Sequence, residues 1–324
     1  MPALRGEIRR HPRHDLTPVK VFHHTRFSDA GELAAIKREQ AFTVSVCIPT
    51  LDEAETIGPI VRSIRETLMD RHALVDELWV IDSGSTDGTR EIAAEAGATV
   101  RLASEIHPNE TACRGKGENL WKALHVAKGD LLCFVDGDIS NFTPRFVTGL
   151  LGPLLTEPAI DYVKAFYERP FAGPRGFHPT GGGRVSEILV RPLLSLFYPE
   201  LTVFLQPLAG EYAARREVFE SLAFPAGYGV ELAHLVDLAR LGILPRSAQV
   251  DLDERVHRNR SDEELGRMAF GLLQVLFRRL ERDGKLRLTT PLSELLRAWQ
   301  FDGASLTELT RTAPEPERPA IRRA

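Results

Sequence analysis

Sulfur is scarce in this chain. Its 324 residues hold three cysteines, Cys47, Cys113 and Cys133, an odd number with no close pairing that suggests a disulfide. Cys47 and Cys133 sit inside apolar strand-like runs and read as small core residues. Long hydrophobic runs are also missing: none approaches the roughly 20 residues needed to span a bilayer. No basic start leads into an apolar signal-peptide core. A cytoplasmic protein with no membrane partner is therefore expected. An excess of positive charge is absent as well, the formal net charge being −4, so a nucleic-acid partner is not expected. The one local exception is the start, where residues 1–28 carry six Lys or Arg, four His and two acids. That stretch suits an anion-binding arm but reads first as a flexible, solvated lead-in. The phosphate-loop spacing G-x-x-x-x-G-K-[ST] is lacking, which disfavours ATPase or GTPase chemistry. No internal repeat is visible.

What is present is an ordinary globular composition, 43% hydrophobic and 27% charged, in a chain long enough for one large domain or two modest ones. From Phe42 onward, strand and helix patterns alternate. VSVCIP (44–49) is a short apolar run of the kind buried on both sheet faces, and residues 53–70 follow with helical spacing of Ile57, Ile60, Val61, Ile64 and Leu68. ELWVID (77–82), a helix near 87–96, ATVRLA (98–103), a helix over 117–129 and DLLCFVD continue the alternation. This predicts a mostly parallel, doubly wound α/β sheet. The second half is less regular. DYVKAFYE (161–168) and AQVDLDERVH (248–257) read as strands, and helical runs are expected near 210–222, 229–241 and 262–282. The Pro- and charge-rich end, TAPEPERPAIRRA, reads as disordered.

Ligands of open parallel sheets bind beyond the carboxyl ends of the strands. Three polar clusters fall at such ends: PTLDE (49–53), DSGST (82–86) and DGD (136–138). Asp136 and Asp138 are like charges in close succession and call for a positive partner. A hard divalent cation suits them, although a bare D-x-D also occurs as a turn or capping pair. RGKGENLW (114–121) sets Arg114 and Lys116 ahead of a helix, where the N-terminus and the glycines suit a diphosphate; a solvated loop lysine is the plainer alternative. TGGGRVSE (180–187) offers a second anion site through its amides and Arg184. Glu231 in GYGVE opens an apolar helix, where it either serves the site or merely favours the helix dipole. His257 in HRNR could complete a metal site as a neutral imidazole.

CIPTLDEAETI, WVIDSGSTDGTREIA and FVDGD together resemble the GT-A nucleotide-sugar glycosyltransferases. RGKGENLW, KAFYERP, TGGGRVSEILVRPLL, QPLAGEYAARRE, GYGVE and HRNR narrow the likeness. They resemble the retaining glucosyl-3-phosphoglycerate and mannosyl-3-phosphoglycerate synthases of glycosyltransferase family 81, over about residues 42–283. The resemblance implies a GT-A (Rossmann-like) domain extended by a smaller helical acceptor-binding part. It divides the chain into an N-terminal arm (1–40), a nucleotide-sugar half (41–160), an acceptor half (161–285) and a C-terminal helix with disordered tail (286–324).

The same resemblance implies that Pro49, Thr50, Leu51, Glu53, Ser83, Lys116 and Asp136 hold the donor. It places a Mg2+ or Mn2+ ion on Asp138, His257 and Asp136, and Glu231 with Asp136 at the reacting centre. Thr180, Gly182, Gly183, Arg184, Val185 and Asn259 would take 3-phosphoglycerate. Thr50 departs from relatives that often carry alanine there. A homodimer is implied too. Glucose or mannose, and a uridine or guanosine carrier, stay open. Three other readings compete: an inverting transferase acting on a lipid phosphate, which would need a membrane anchor; a nucleotidyltransferase, which would need a glycine-rich loop where PTLDE has none; and a catalytically silent sugar-nucleotide binder.

Overall fold

The computed structural model describes residues 19–107, 109, 113–169, 171–173, 176–178, 183–256 and 261–322. In chain order its first half contains β1 (Lys20–His23), α1 (Ala30–Glu39), β2 (Val44–Thr50), α2 (Ala54–Ser63), β3 (Glu77–Asp82), α3 (Thr89–Glu95), β4 (Thr99–Leu102), α4 (Lys116–Val126), β5 (Leu131–Phe134) and α5 (Arg145–Thr156). There follow β6 (Tyr162–Glu168), β7 (Phe171–Gly173), β8 (Gly176–His178), α6 (Arg191–Phe197), β9 (Tyr212–Arg215), α7 (Arg216–Glu220), β10 (Phe224–Pro225) and α8 (Val230–Arg240). The chain ends with β11 (Ser247–Glu254), α9 (Asp262–Arg282), β12 (Leu295–Phe301), β13 (Leu306–Thr312) and β14 (Glu317–Arg318).

Eight strands form the central sheet in the order β1-β11-β6-β9-β5-β2-β3-β4. Every pair is parallel except those of β9, which runs antiparallel to both β5 and β6. Strand periodicity sorts the core into two layers. Val44, Val46 and Ile48 of β2 join Leu131 and Cys133 of β5 under α1, α2 and α5, while Cys47, Leu132 and Phe134 face the other way, toward α4, α8 and α9. Both faces are covered, which explains why these strands are almost continuously apolar. The mostly parallel α/β architecture is thus as the sequence predicts.

Four expectations change. The first concerns residues 210–222, expected as a helix: the structure places β9 at Tyr212–Arg215, with Tyr212, Ala213 and Ala214 fully buried, and keeps a helix, α7, over Arg216–Glu220 alone. Pairing on both edges outweighs local propensity at this central position. The second is the boundary between residues 160 and 161, which cuts through one continuous sheet because β9 of the later half inserts between β5 and β6. The third is the N-terminal arm: its described part is built in, β1 pairing with β11 and α1 burying Leu33 and Ala34 under an Asp29 cap.

The fourth is the C-terminal end. In place of a helix and a disordered tail, β12 and β13 form an antiparallel hairpin, and β14 pairs with β10. The tail is anchored by a buried fork: Arg318 Nε and Nη2 donate to Glu118 Oε2 and Oε1 at 2.7 and 2.9 Å. The same guanidinium lies 5.0 Å from the Trp121 ring centroid. Glu118 is on α4, two residues after Lys116, so the tail braces the helix that carries that lysine. Arg318→Leu leaves the Glu118 carboxylate buried, with Lys122 Nζ still 3.8 Å away. Loss of one partner of such a pair costs about 3 kcal/mol, an effect expected in urea unfolding of the variant.

Candidate active site

The carboxyl ends of β2, β3 and β5 lie side by side, Thr50 opposite Asp82. Fully buried Asp82 shapes the turn after β3. It accepts the Gly84 and Ser85 amides at 2.8 and 2.7 Å and the Thr50 and Ser85 hydroxyls at 2.8 and 2.5 Å. The Thr50 hydroxyl is thereby committed within the protein. Ser83 Oγ donates to Asn119 Oδ1 at 2.9 Å, and Arg114 Nη2 donates to the Ser83 carbonyl at 2.7 Å. Thr56 Oγ1 donates to the Gly137 carbonyl at 2.5 Å, tying the start of α2 to the D-x-D turn. Pro49, Leu51 and Glu53 line the same rim, Leu51 being exposed.

The centre of the site is a chain of ion pairs. Lys116 Nζ lies 2.5 Å from Asp136 Oδ1 and 2.7 Å from Glu231 Oε1. Arg255 Nη2 lies 3.0 Å from Asp136 Oδ2 and 2.6 Å from Asp138 Oδ1, and its Nε lies 3.1 Å from Glu211 Oε1. Tyr167 donates its hydroxyl to Glu211 Oε2 at 2.5 Å and accepts from Arg169 Nη2 at 3.0 Å. Burial opposes the charge on Lys116, but Asp136 and Glu231 outweigh it and hold the ammonium charged well above the usual lysine range. Burial likewise opposes the Arg255 charge and is outweighed by Glu211 and Asp138. The Glu211 carboxyl is pushed upward by burial, against the pull of Arg255.

Among the described residues, Asp136, Asp138, Glu211 and Glu231 gather around the cations Lys116 and Arg255, with Lys164 close by. Hard oxygen donors at a strand end, such as Asp136 and Asp138, fit a Mg2+- or Mn2+-type cation.

Near this chain of charges a cavity of about 220 Å³ is lined by Arg169, Gly183, Ser186, Glu187, Arg191, Leu205 and Gln206. Arg169 joins it to the D-x-D aspartates through Tyr167, Glu211 and Arg255. Gly183 is part of its lining, and Arg184, next in the chain, pairs with Asp262. Val185, partly buried, packs against the core. Thr180, Gly182, His257 and Asn259, together with Arg258 and Arg260, lie outside the described residues.

One sequence reading needs correction. The glycines of RGKGE do not open the α4 N-terminus to an anion. A Cβ on Gly117 would overlap the Pro225 carbonyl oxygen. The Gly117 and Glu118 amides donate to the Gly227 and Ala226 carbonyls at 3.3 and 3.0 Å. The glycines let α4 close on the loop before α8, and that contact is what brings Lys116 to Glu231. Sequence reasoning also missed Arg255, Glu211 and Lys164. Arg255 is one of several basic residues in ERVHRNR, and only β11 geometry singles it out. Glu211 had a visible signal, an acid entering the apolar strand after Gly210.

Lys164 is buried, donating to the Ala209 carbonyl at 2.7 Å. Burial pushes its ammonium down to about 7, partly offset by Glu231. The unfolded lysine titrates near 10.4, so between about pH 7 and 10 the unfolded chain binds the extra proton and stability rises with pH. Urea unfolding is expected to show the stability of the parent chain rising from pH 7 to pH 8.5, this group contributing a slope of at most about 1.4 kcal/mol per pH unit. Lys164→Met should lack it.

A mostly parallel sheet with a D-x-D turn at its carboxyl edge, a buried lysine over it and a second pocket beyond defines a GT-A glycosyltransferase site. The model of glycosyl transferase family 2 matches residues 45–210. A glucosyl-3-phosphoglycerate synthase of Petrotoga mobilis is 50% identical over 273 residues, 84% of each chain. Among solved structures, mannosyl-3-phosphoglycerate synthase of Rubrobacter xylanophilus superposes with TM-score 0.84 at 36% identity, covering 93% of this chain and 96% of that one. Glucosyl-3-phosphoglycerate synthase of Mycobacterium tuberculosis, solved with Mn2+, uridine diphosphate and phosphoglyceric acid, gives 0.80 at 40% identity, covering 94% and 98%. The chain belongs to the glucosyl-3-phosphoglycerate synthase family of glycosyl transferases.

Proposed function

We propose that the protein is a hexosyltransferase that moves glucose from a nucleotide diphosphate sugar to D-3-phosphoglycerate with retention of configuration. The observation that carries this reading is the linked pair of sites: the Lys116–Asp136–Glu231 cluster and, through Arg255, Glu211 and Tyr167, the cavity at Arg169 and Gly183. Donor and acceptor pockets joined in this way suit a direct transfer between two anionic substrates.

Pro49, Thr50, Leu51, Glu53 and Ser83 hold the base and ribose of the donor, and Lys116 and Asp136 its diphosphate and sugar. Asp138 and Asp136, with His257, would hold a divalent cation of the Mg2+ or Mn2+ kind, which when bound supplies Lewis-acid stabilisation of the departing diphosphate. Lys116 adds a second positive charge where the leaving oxygen gains negative charge. Glu231, fixed by Lys116, orients the donor sugar by accepting from its hydroxyls. Thr180, Gly182, Gly183, Arg184, Val185 and Asn259 position phosphoglycerate so that its free hydroxyl approaches C1. Among the described residues the carboxylates of the site are held in ion pairs with Lys116 and Arg255, which supports attack by the acceptor hydroxyl from the face the diphosphate leaves, with the departing phosphate taking the proton.

Glucose is favoured by the higher identity to the Petrotoga enzyme, whereas the higher TM-score of the Rubrobacter enzyme supports mannose as the second reading. The test is release of nucleoside diphosphate in separate reactions with UDP-glucose, GDP-glucose and GDP-mannose, each with and without D-3-phosphoglycerate and with Mg2+. The reading expects acceptor-dependent release, fastest with a glucose donor. Acceptor-independent release, or none despite donor binding, would defeat it.

A homodimer is part of the same proposal. Trp299, Phe301 and Leu306 are 64%, 65% and 67% exposed on the β12–β13 hairpin, a costly arrangement for a lone chain. Light scattering is expected to give twice the chain mass, and Trp299→Glu with Phe301→Glu to shift it toward the monomer.

No helix among the described residues is long and apolar enough to cross a membrane.

A further inference from the structure

A second group of metal-ligating side chains stands at the opposite edge strand of the sheet. β1 ends at His23, and a single 3-10 turn begins at His24. The change of backbone from strand to 3-10 turn sets two successive imidazoles on one side, stacked with centroids 4.7 Å apart and planes at 30°. Both present Nε2 to one carboxylate: His23 Nε2 is 3.0 Å from Asp253 Oδ1 and His24 Nε2 is 2.6 Å from Asp253 Oδ2. One ligand atom from each of the three residues lies within 4.8 Å of the others. Hydrogen bonding of two histidines to one aspartate would give the same contacts, so further features must decide.

Two do. The His23 ring is held at Nδ1 by Thr25, whose Oγ1 lies 2.8 Å away and whose backbone N–H donates to it at 3.4 Å, so that Nε2 is turned toward Asp253. His24 has a side chain only 12% exposed, so its ring is fixed by packing. Asp253 has φ 63° and sits where β11 slips register against β6, between Asp251 and Glu254. Two nitrogen donors and one carboxylate, with an open side to solvent, select a borderline transition-metal ion over Mg2+.

We propose that His23, His24 and Asp253 form a binding site for a borderline divalent metal of the Zn2+, Co2+ or Ni2+ class, distinct from the hard-cation site at Asp136 and Asp138. The site staples the N-terminal strand to β11. Because Arg255 follows Asp253 by two residues, the bound metal fixes the backbone from which Arg255 reaches the D-x-D aspartates.

The experiment is equilibrium dialysis of the untagged full chain against micromolar Zn2+, with millimolar Mg2+ present to occupy the hard site, followed by metal analysis. The proposal expects one Zn2+ per chain. That zinc should be lost in His23→Ala/His24→Ala and in Asp253→Asn, and kept both in Asp138→Asn and in His11→Ala/His14→Ala. It also expects a zinc-dependent rise in melting temperature that the His23/His24 variant lacks. Visible absorption of the Co2+-loaded parent chain should carry the intensified bands of a low-symmetry nitrogen-oxygen site, a readout that needs no variant to fold. No zinc retained by the parent chain would overturn the proposal and leave a His–Asp hydrogen-bond cluster only. Zinc retained undiminished by the His23/His24 variant would overturn it as well.

Discussion

Lys116→Met is expected to lower kcat/KM by about 10²–10³-fold, the range for removing one preorganised charge-stabilising group. The lysine has two roles in the proposed reaction. It holds Asp136 and Glu231 together, at 2.5 and 2.7 Å, and it would supply positive charge beside the leaving diphosphate. Without it, two carboxylates face each other across a sheltered cleft. Arginine should not rescue the loss, because a planar fork cannot occupy the point between two carboxylates that a compact ammonium fills. Steady-state kinetics of the Met and Arg variants, with donor affinity by calorimetry, make the test. A Met variant within tenfold of the parent would remove Lys116 from the account.

Gly210→Ala should cost a comparable factor for a steric reason. A Cβ at that position would overlap Asp136 Oδ2 and Lys116 Nζ. Backbone on both sides is fixed, since Ala209 accepts from Lys164 at 2.7 Å and the Glu211 carbonyl accepts from the Ala165 amide at 3.0 Å. The added methyl group must therefore displace the aspartate and the lysine. Misplacement by about 1 Å can cost roughly 10²-fold in rate. The variant should keep its far-ultraviolet circular dichroism while losing turnover; a fully active variant would show that the cluster tolerates rearrangement.

The parallel strands were readable because a sheet buried on both faces demands short apolar, β-branched runs, as in VSVCIP and LLCFVD. Their carboxyl ends then pointed to PTLDE, DSGST and DGD. β9 was not readable, because Tyr212, Ala213 and Ala214 owe their strand to the two neighbours that pair with them. The tail misled for a related reason: its Pro and charges suggest disorder, yet Arg318 finds a buried carboxylate on a helix far away in sequence. In the site, Lys116, Asp136, Asp138 and Glu231 stood out by position. What sequence withheld was the identity of their neighbours. Among the described residues the cation that reaches both aspartates is Arg255, and nothing local marks it among the basic residues near it. The glycines beside Lys116 were visible, but a missing side chain does not tell what approaches, and here it is the Pro225–Gly227 backbone.

The most direct measurement is proton NMR of the product formed from UDP-glucose and D-3-phosphoglycerate. The account predicts glucose on the free hydroxyl of phosphoglycerate with the small anomeric coupling of the α-anomer, the configuration of the donor. A β-linked product, or free glucose with unchanged phosphoglycerate, would contradict it.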